Sequence, residues 1–167
     1  MLLSLKGWIE RILMALVASM LAVMTCLMLW QVITRYIFAR PAIFTEETLR
    51  FMMIWMALLG TAYCFGTRKH LALELVPALS PPAVQKVLMV VNNLIGIAFA
   101  IGVMLIGGWG ASSSAMTQLS PVMQVPMGLV YLAVPVSAVL IVLLQALDIA
   151  LVLAGQRPPL EQYGDMI

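Results

Sequence analysis

No charged side chain lies between Lys86 and Asp148. About a quarter of the residues of a soluble domain are charged, so an uncharged stretch of that length does not fit one. Composition extends the point to the whole chain of 167 residues. Hydrophobic residues make up 63% and charged residues 10%, and the mean hydropathy is +1.07. A soluble domain is nearer half apolar and a quarter charged. The length suits a single domain, 1–167, whose solvent is lipid. The net charge of +2 comes without a basic stripe, an RNA-binding motif or a zinc pattern, so nucleic acid is not a partner.

The pattern predicts an all-α membrane protein with four transmembrane helices, at about 12–34, 46–67, 87–107 and 127–154. The first run, Ile12 to Thr34, lies between Arg11 and Arg35. At roughly 1.5 Å per residue it covers about 35 Å, enough to cross a ~30 Å hydrocarbon core with some tilt. It exceeds the apolar core of a signal peptide and no small-residue cleavage site follows, so it reads as an uncleaved anchor. Gly107-Gly108, Ser112 to Ser114, Pro121 and Pro126 divide the long uncharged run, and such clusters mark a turn.

Basic residues near span ends set orientation. With the N-terminus inside, Lys6, Arg11, Arg68, Lys69, Lys86 and Arg157 fall inside, against Arg35, Arg40 and Arg50 outside. Both termini are therefore expected to be cytoplasmic. Cys26 and Cys64 differ in depth by well over 10 Å at roughly 1.5 Å per residue, so free, buried thiols are expected.

Charge is concentrated in one segment, Arg35 to Arg50, between the first two apolar runs. Pro41 biases Arg40 toward an extended backbone. Thr45 is suited to cap a helix beginning at Glu46. Glu46 and Glu47 then occupy the first turn, where the helix dipole favours acid, and Arg50 follows at four and three residues on the same face. Two readings stand. Arg35, Arg40, Glu46, Glu47 and Arg50 form solvated ion pairs that hold two helix ends together, or some of them face a partner subunit.

A second polar set is inferred from depth. Asn92 and Asn93 lie just inside Lys86; Gln145 and Asp148 lie near the end of the antiparallel fourth span. All four should sit about 10 Å into one leaflet, where a carboxylate needs donors, as a polar clamp between helices. Gly96-x-x-x-Ala100 and Ala98-x-x-x-Gly102 would let a helix approach the third span closely.

Nothing assembles into a catalytic or metal centre. His70 stands alone in a loop with Glu74 as the nearest carboxylate, and Gly107, Gly108 and Gly110 lack the lysine and hydroxyl of a phosphate loop. No cofactor or metal is expected. The segment from Arg68 to Lys86 is expected to lie on the membrane surface. The uncharged loop from Ala111 to Pro126 is long enough to expect a contact.

Arg35-Tyr36, Arg40-Pro41, Phe44-Thr45-Glu46-Glu47, Arg50 and Trp55, with Gly60, Lys69-His70, Ser120-Pro121, Pro126, Tyr131 and Pro135, resemble the signature of a known family. It is the small membrane subunit of tripartite ATP-independent periplasmic (TRAP) transporters, and the likeness spans about residues 8 to 155. Phe44 departs from it, since the family often has tryptophan there. The resemblance implies a bacterial inner-membrane complex in which a periplasmic substrate-binding protein delivers an organic acid. A large membrane subunit would carry the sodium and substrate sites and move like an elevator, with this chain as part of the scaffold. The competing readings are a stand-alone tetraspan channel or exporter, a membrane enzyme or quinone anchor, and an unrelated assembly factor. The first needs a polar stripe through the membrane centre and the second needs intramembrane histidines; the spans offer neither.

Overall fold

The computed structural model describes residues 2–38, 43–67 and 82–155. These residues are helical apart from short connections. α1 (Leu2–Tyr36) and α2 (Ile43–Gly66) are followed by α3 (Pro82–Phe99), a π-helical segment (Ala100–Gly107) and α4 (Gly108–Ala115). The last three run on as one rod, Val84–Ala115. After the 116–126 connection come α5 (Met127–Tyr131) and α6 (Ala133–Leu153). The break between these two has a simple cause: Pro135 has no N–H to return to the carbonyl of Tyr131, while Leu132 and Val136 keep their bonds to Gly128 and Leu132.

Four helical stretches are long and apolar enough to cross a membrane. The basal end of the bundle carries Leu2, Gly66, Pro82 and Leu153; the apical end carries Tyr36, Ile43, Ala115 and Met127. α1 packs on α2, α2 on α6, and α6 on the third rod. The last span is therefore central: 50% of its most apolar stretch is buried, against 6% for the first and third. Two small clusters make the contacts. Leu13, Leu59 and Leu144 join α1, α2 and α6, and Ala62, Ala100 and Ile141 join α2, the π segment and α6. Lipid supplies no hydrophobic drive between helices, so small side chains that allow close approach matter more than large ones. Ala62, Ala100, Ala133 and Ala138 are all essentially inaccessible.

α1 shows how sequence spacing sets this geometry. Its least exposed positions repeat every seven residues: Lys6, Leu13, Met20, Leu27 and Thr34, flanked by Glu10, Val17, Met24 and Gln31. That is the seam of two helices crossing at a shallow angle. The seam is apolar in the middle and polar at both ends.

Three expectations need correction. α1 begins at Leu2, not near Ile12, so its 35 residues span about 52 Å and must tilt or project from the hydrocarbon. The third helix does not turn at Gly107-Gly108 but continues to Ala115, which shortens the apical connection to 116–126. Cys26 is exposed on α1 rather than buried; Cys64 is half-buried, and neither is bridged. The expected surface segment from Arg68 lies mostly outside the described residues. It reaches them at Pro82, where a first helical position suits a residue without an N–H.

Candidate functional site

Polar side chains gather at the two ends of the bundle. At the basal end, the ammonium of Lys6 on α1 meets Asp148 Oδ1 on α6 at 2.5 Å, with both residues about 2% exposed. Glu10, one turn along α1, lies 3.7 Å from the same ammonium. Asn93 on α3 donates from Nδ2 to Asp148 Oδ2 at 3.4 Å. Gln145, one turn before Asp148, is buried, and its Oε1 has no donor within reach among the described residues.

Two glycines make room for this knot. A Cβ on Gly66 of α2 would stand 2.9 Å from Leu144 Cδ1 and 3.4 Å from Glu10 Oε1. One on Gly96 of α3 would stand 2.5 Å from Gln145 Nε2. All four spans thus converge on one polar cluster. The depth argument reached Asn93, Gln145 and Asp148. Asn92 is exposed and lies outside the cluster, since neighbours on a helix point about 100° apart. Lys6 and Glu10 were missed. The signal for them was present: Lys6 stands seven residues before Leu13, so a helix continuing back from Ile12 places it on the packing face.

At the apical end the expected ion cluster separates. Arg50 reaches Glu46 at 4.0 Å, with both side chains about two-thirds exposed. Arg35 makes no ion pair among the described residues. It lines a groove of about 450 Å³ with Met28, Gln31, Val32, Tyr36, Glu46 and Leu49. Arg40 lies outside the described residues. Thr45 is not the helix cap: α2 starts at Ile43, which places Thr45 inside the first turn, fully buried. Glu47 is buried and turns away from Arg50. Its Oε2 accepts the backbone N–H of Met123 at 2.6 Å. Ser112 on α4 donates to the carbonyl of Gly128 at 2.8 Å, closing the same end.

Among the described residues no group of histidine, cysteine and carboxylates could hold a metal. The polar groups described here fasten helices to one another at the two ends; deeper in the bundle the buried Ser137 hydroxyl donates to the Val134 carbonyl of its own helix at 2.8 Å. The class so defined is a multi-pass helical membrane protein.

The comparisons with known proteins place the chain in a family. Residues 24–155 match the family described as tripartite ATP-independent periplasmic transporters, DctQ component. A Haemophilus influenzae protein (strain ATCC 51907 / DSM 11121 / KW20 / Rd) whose name describes a TRAP transporter small permease protein is 28% identical over 141 residues, covering 84% of this chain and 87% of that one. The C4-dicarboxylate TRAP transporter small permease protein DctQ of Vibrio cholerae serotype O1 (strain ATCC 39315 / El Tor Inaba N16961) is 30% identical over 94 residues, covering 56% of this chain and 40% of that one. The chain belongs to the DctQ family of TRAP transporter small permeases. It is an inner-membrane transporter component, not an enzyme.

Proposed function

We propose that this chain is the stationary scaffold subunit of a sodium-coupled, binding-protein-dependent transporter for organic acids. It supports a large elevator-type membrane subunit and helps dock a periplasmic substrate-binding protein. One observation carries the reading. The buried charges, Lys6, Asp148 and Glu47, are engaged in holding the bundle's ends together. A transport route needs polar groups that face a passage, at a cost in lipid that only function repays. Here the groups that bear that cost are structural. Family membership supports the partners, and the nearly bare flanks of the first and third spans offer a broad apolar wall for a large neighbour.

The orientation that fits places both termini in the cytoplasm and the apical end in the periplasm. It is supported by the excess of basic residues at the basal side and by an even number of spans.

Reconstitution tests the reading. The chain alone in proteoliposomes should move neither organic acid nor sodium. Adding its large partner and binding protein should produce uptake that follows a sodium gradient. Uptake by the isolated chain would replace the scaffold with a channel.

A further inference from the structure

The apical connection is a small rigid unit. Ser120 is fully buried; its N–H donates to the carbonyl of Val125 at 2.9 Å, and its hydroxyl accepts the N–H of Val125 at 3.1 Å. Leu119 and Pro126 pair as an isolated antiparallel bridge, and Met127 N–H donates to the carbonyl of Gln118 at 2.8 Å. Gln124 adopts a left-handed backbone, φ 54°, and its amide donates to the carbonyls of Ser120 and Pro121 at 3.0 and 3.3 Å. These contacts are internal to the unit except the last N–H, that of Met127, which joins it to the first residue of α5.

What ties the unit to α2 is different in kind. The Glu47 carboxylate, buried in the first turns of α2, receives the Met123 N–H at 2.6 Å, and the Thr48 hydroxyl lies 3.3 Å from the Met123 sulfur. A buried carboxylate is expensive to desolvate, and this one meets a main-chain donor while Arg50 goes to Glu46. The charge therefore fixes a loop, not a helix face. Beyond the tie, the loop turns Leu119, Val122 and Met123 outward, 55, 45 and 41% exposed. The loop has no charged side chain of its own.

We infer that Glu47 is a positioning residue: its carboxylate sets how the 116–126 unit stands on α2, and so presents the Leu119–Val122–Met123 edge to the soluble binding protein. This rests on the reading that the apical end faces the periplasm and receives that partner. A soluble partner fits better than a neighbouring membrane helix for two reasons. The edge lies past the last turn of α4, and its frame is braced by its own hydrogen bonds. A rigid apolar edge needs no ordering when a partner covers it.

The test compares Glu47→Leu, which removes the acceptor, with Glu47→Gln, which keeps an oxygen in its place. Each is assembled with the large subunit, and uptake is followed against binding-protein concentration. Glu47→Leu should raise the half-saturating concentration about tenfold or more, the scale of a lost hydrogen bond to a charged group, with the plateau within about twofold. Glu47→Gln should stay within about threefold of the parent. Should Glu47→Leu fail to assemble with the large subunit, thiol labelling of the chain alone decides the inference. An unchanged half-saturating concentration, a fall in plateau alone, or equal damage from Glu47→Gln would overturn the inference. Thiol labelling in detergent of a Val122→Cys chain in which the free Cys26 and Cys64 are replaced by alanine needs no partner: Glu47→Leu should change its rate several-fold, and an unchanged rate would also overturn it. If the parent's uptake ignores the binding protein, the docking reading has failed, and the labelling result still decides whether Glu47 positions the loop.

Discussion

At the basal end a carboxylate, Asp148, meets an ammonium, Lys6; at the apical end a carboxylate, Glu47, meets a main-chain N–H, that of Met123. Both carboxylates are buried and each joins segments far apart in the chain, yet they act on different objects. The basal pair locks helix to helix, with Asn93, Glu10 and Gln145 around it. The apical contact holds a loop to a helix end. A side-chain pair specifies both partners, whereas a main-chain donor leaves the residue at its own position free to vary. The basal end is thus suited to a fixed assembly, and the apical end to a surface whose side chains can differ while its frame is kept.

The largest effect should come from breaking the basal pair. Replacing Lys6 with alanine leaves the buried Asp148 carboxylate without its cation, a loss of roughly 3–5 kcal/mol; Asp148→Ala should cost less, because Glu10 remains 3.7 Å from the ammonium. Thermal unfolding in detergent should show it as a marked drop in midpoint. Lys6→Met with Asp148→Leu should recover more than half of that loss, since a buried ion pair often stabilises little more than an apolar one of like size. A double variant as damaged as the singles would mean that the pair does more than join helices.

A middle effect is expected within the apical unit. Ser120→Ala removes the acceptor of the Val125 N–H at a fully buried site, at a cost of about 1–3 kcal/mol. Because that bond is internal to the loop, limited proteolysis should quicken at 116–126 while the global unfolding midpoint moves little. An equal fall in midpoint would mean that the two ends are not separable.

The smallest effect belongs to Arg50→Ala. The 4.0 Å contact with Glu46 is exposed, and such pairs contribute at most about 1 kcal/mol. Assembly with the large subunit and uptake should stay within about twofold of the parent. A severe defect would move the partner surface onto this helix face.

What could be read from the sequence follows the same division. Four apolar runs, the antiparallel depth of Asn93, Gln145 and Asp148, and the charged segment before Arg50 all leave marks in residue type and spacing. The heptad Lys6–Leu13–Met20–Leu27–Thr34 left its mark as well, and ending the span at Arg11 hid it. The turn expected at Gly107-Gly108 failed on energetics. Glycine in a helix costs about 1 kcal/mol each against alanine, whereas opening a helix within lipid strands backbone groups at several kcal/mol apiece. The helix therefore continues, widened through the π segment, until Ala115. Pairing Glu47 with arginine was the natural expectation from charge alone. Its partner is the N–H of Met123, and a main-chain donor has no sequence signature.

The partners at the basal end lie 142 positions apart along the chain. Translation at roughly 5–20 residues per second puts on the order of ten seconds between the appearance of Lys6 and that of Asp148. Throughout that interval the first helix carries an ammonium with no carboxylate from the last helix to meet it, so its first turns must stay near headgroups or water. Arrival of the final span draws them in. The contact of the opening turns with Asp148 therefore has to wait until the fourth helix has been made. A product cut short before Asp148 would leave that ammonium with Glu10 of its own helix, 3.7 Å away, as its carboxylate, chemically distinct from a finished subunit.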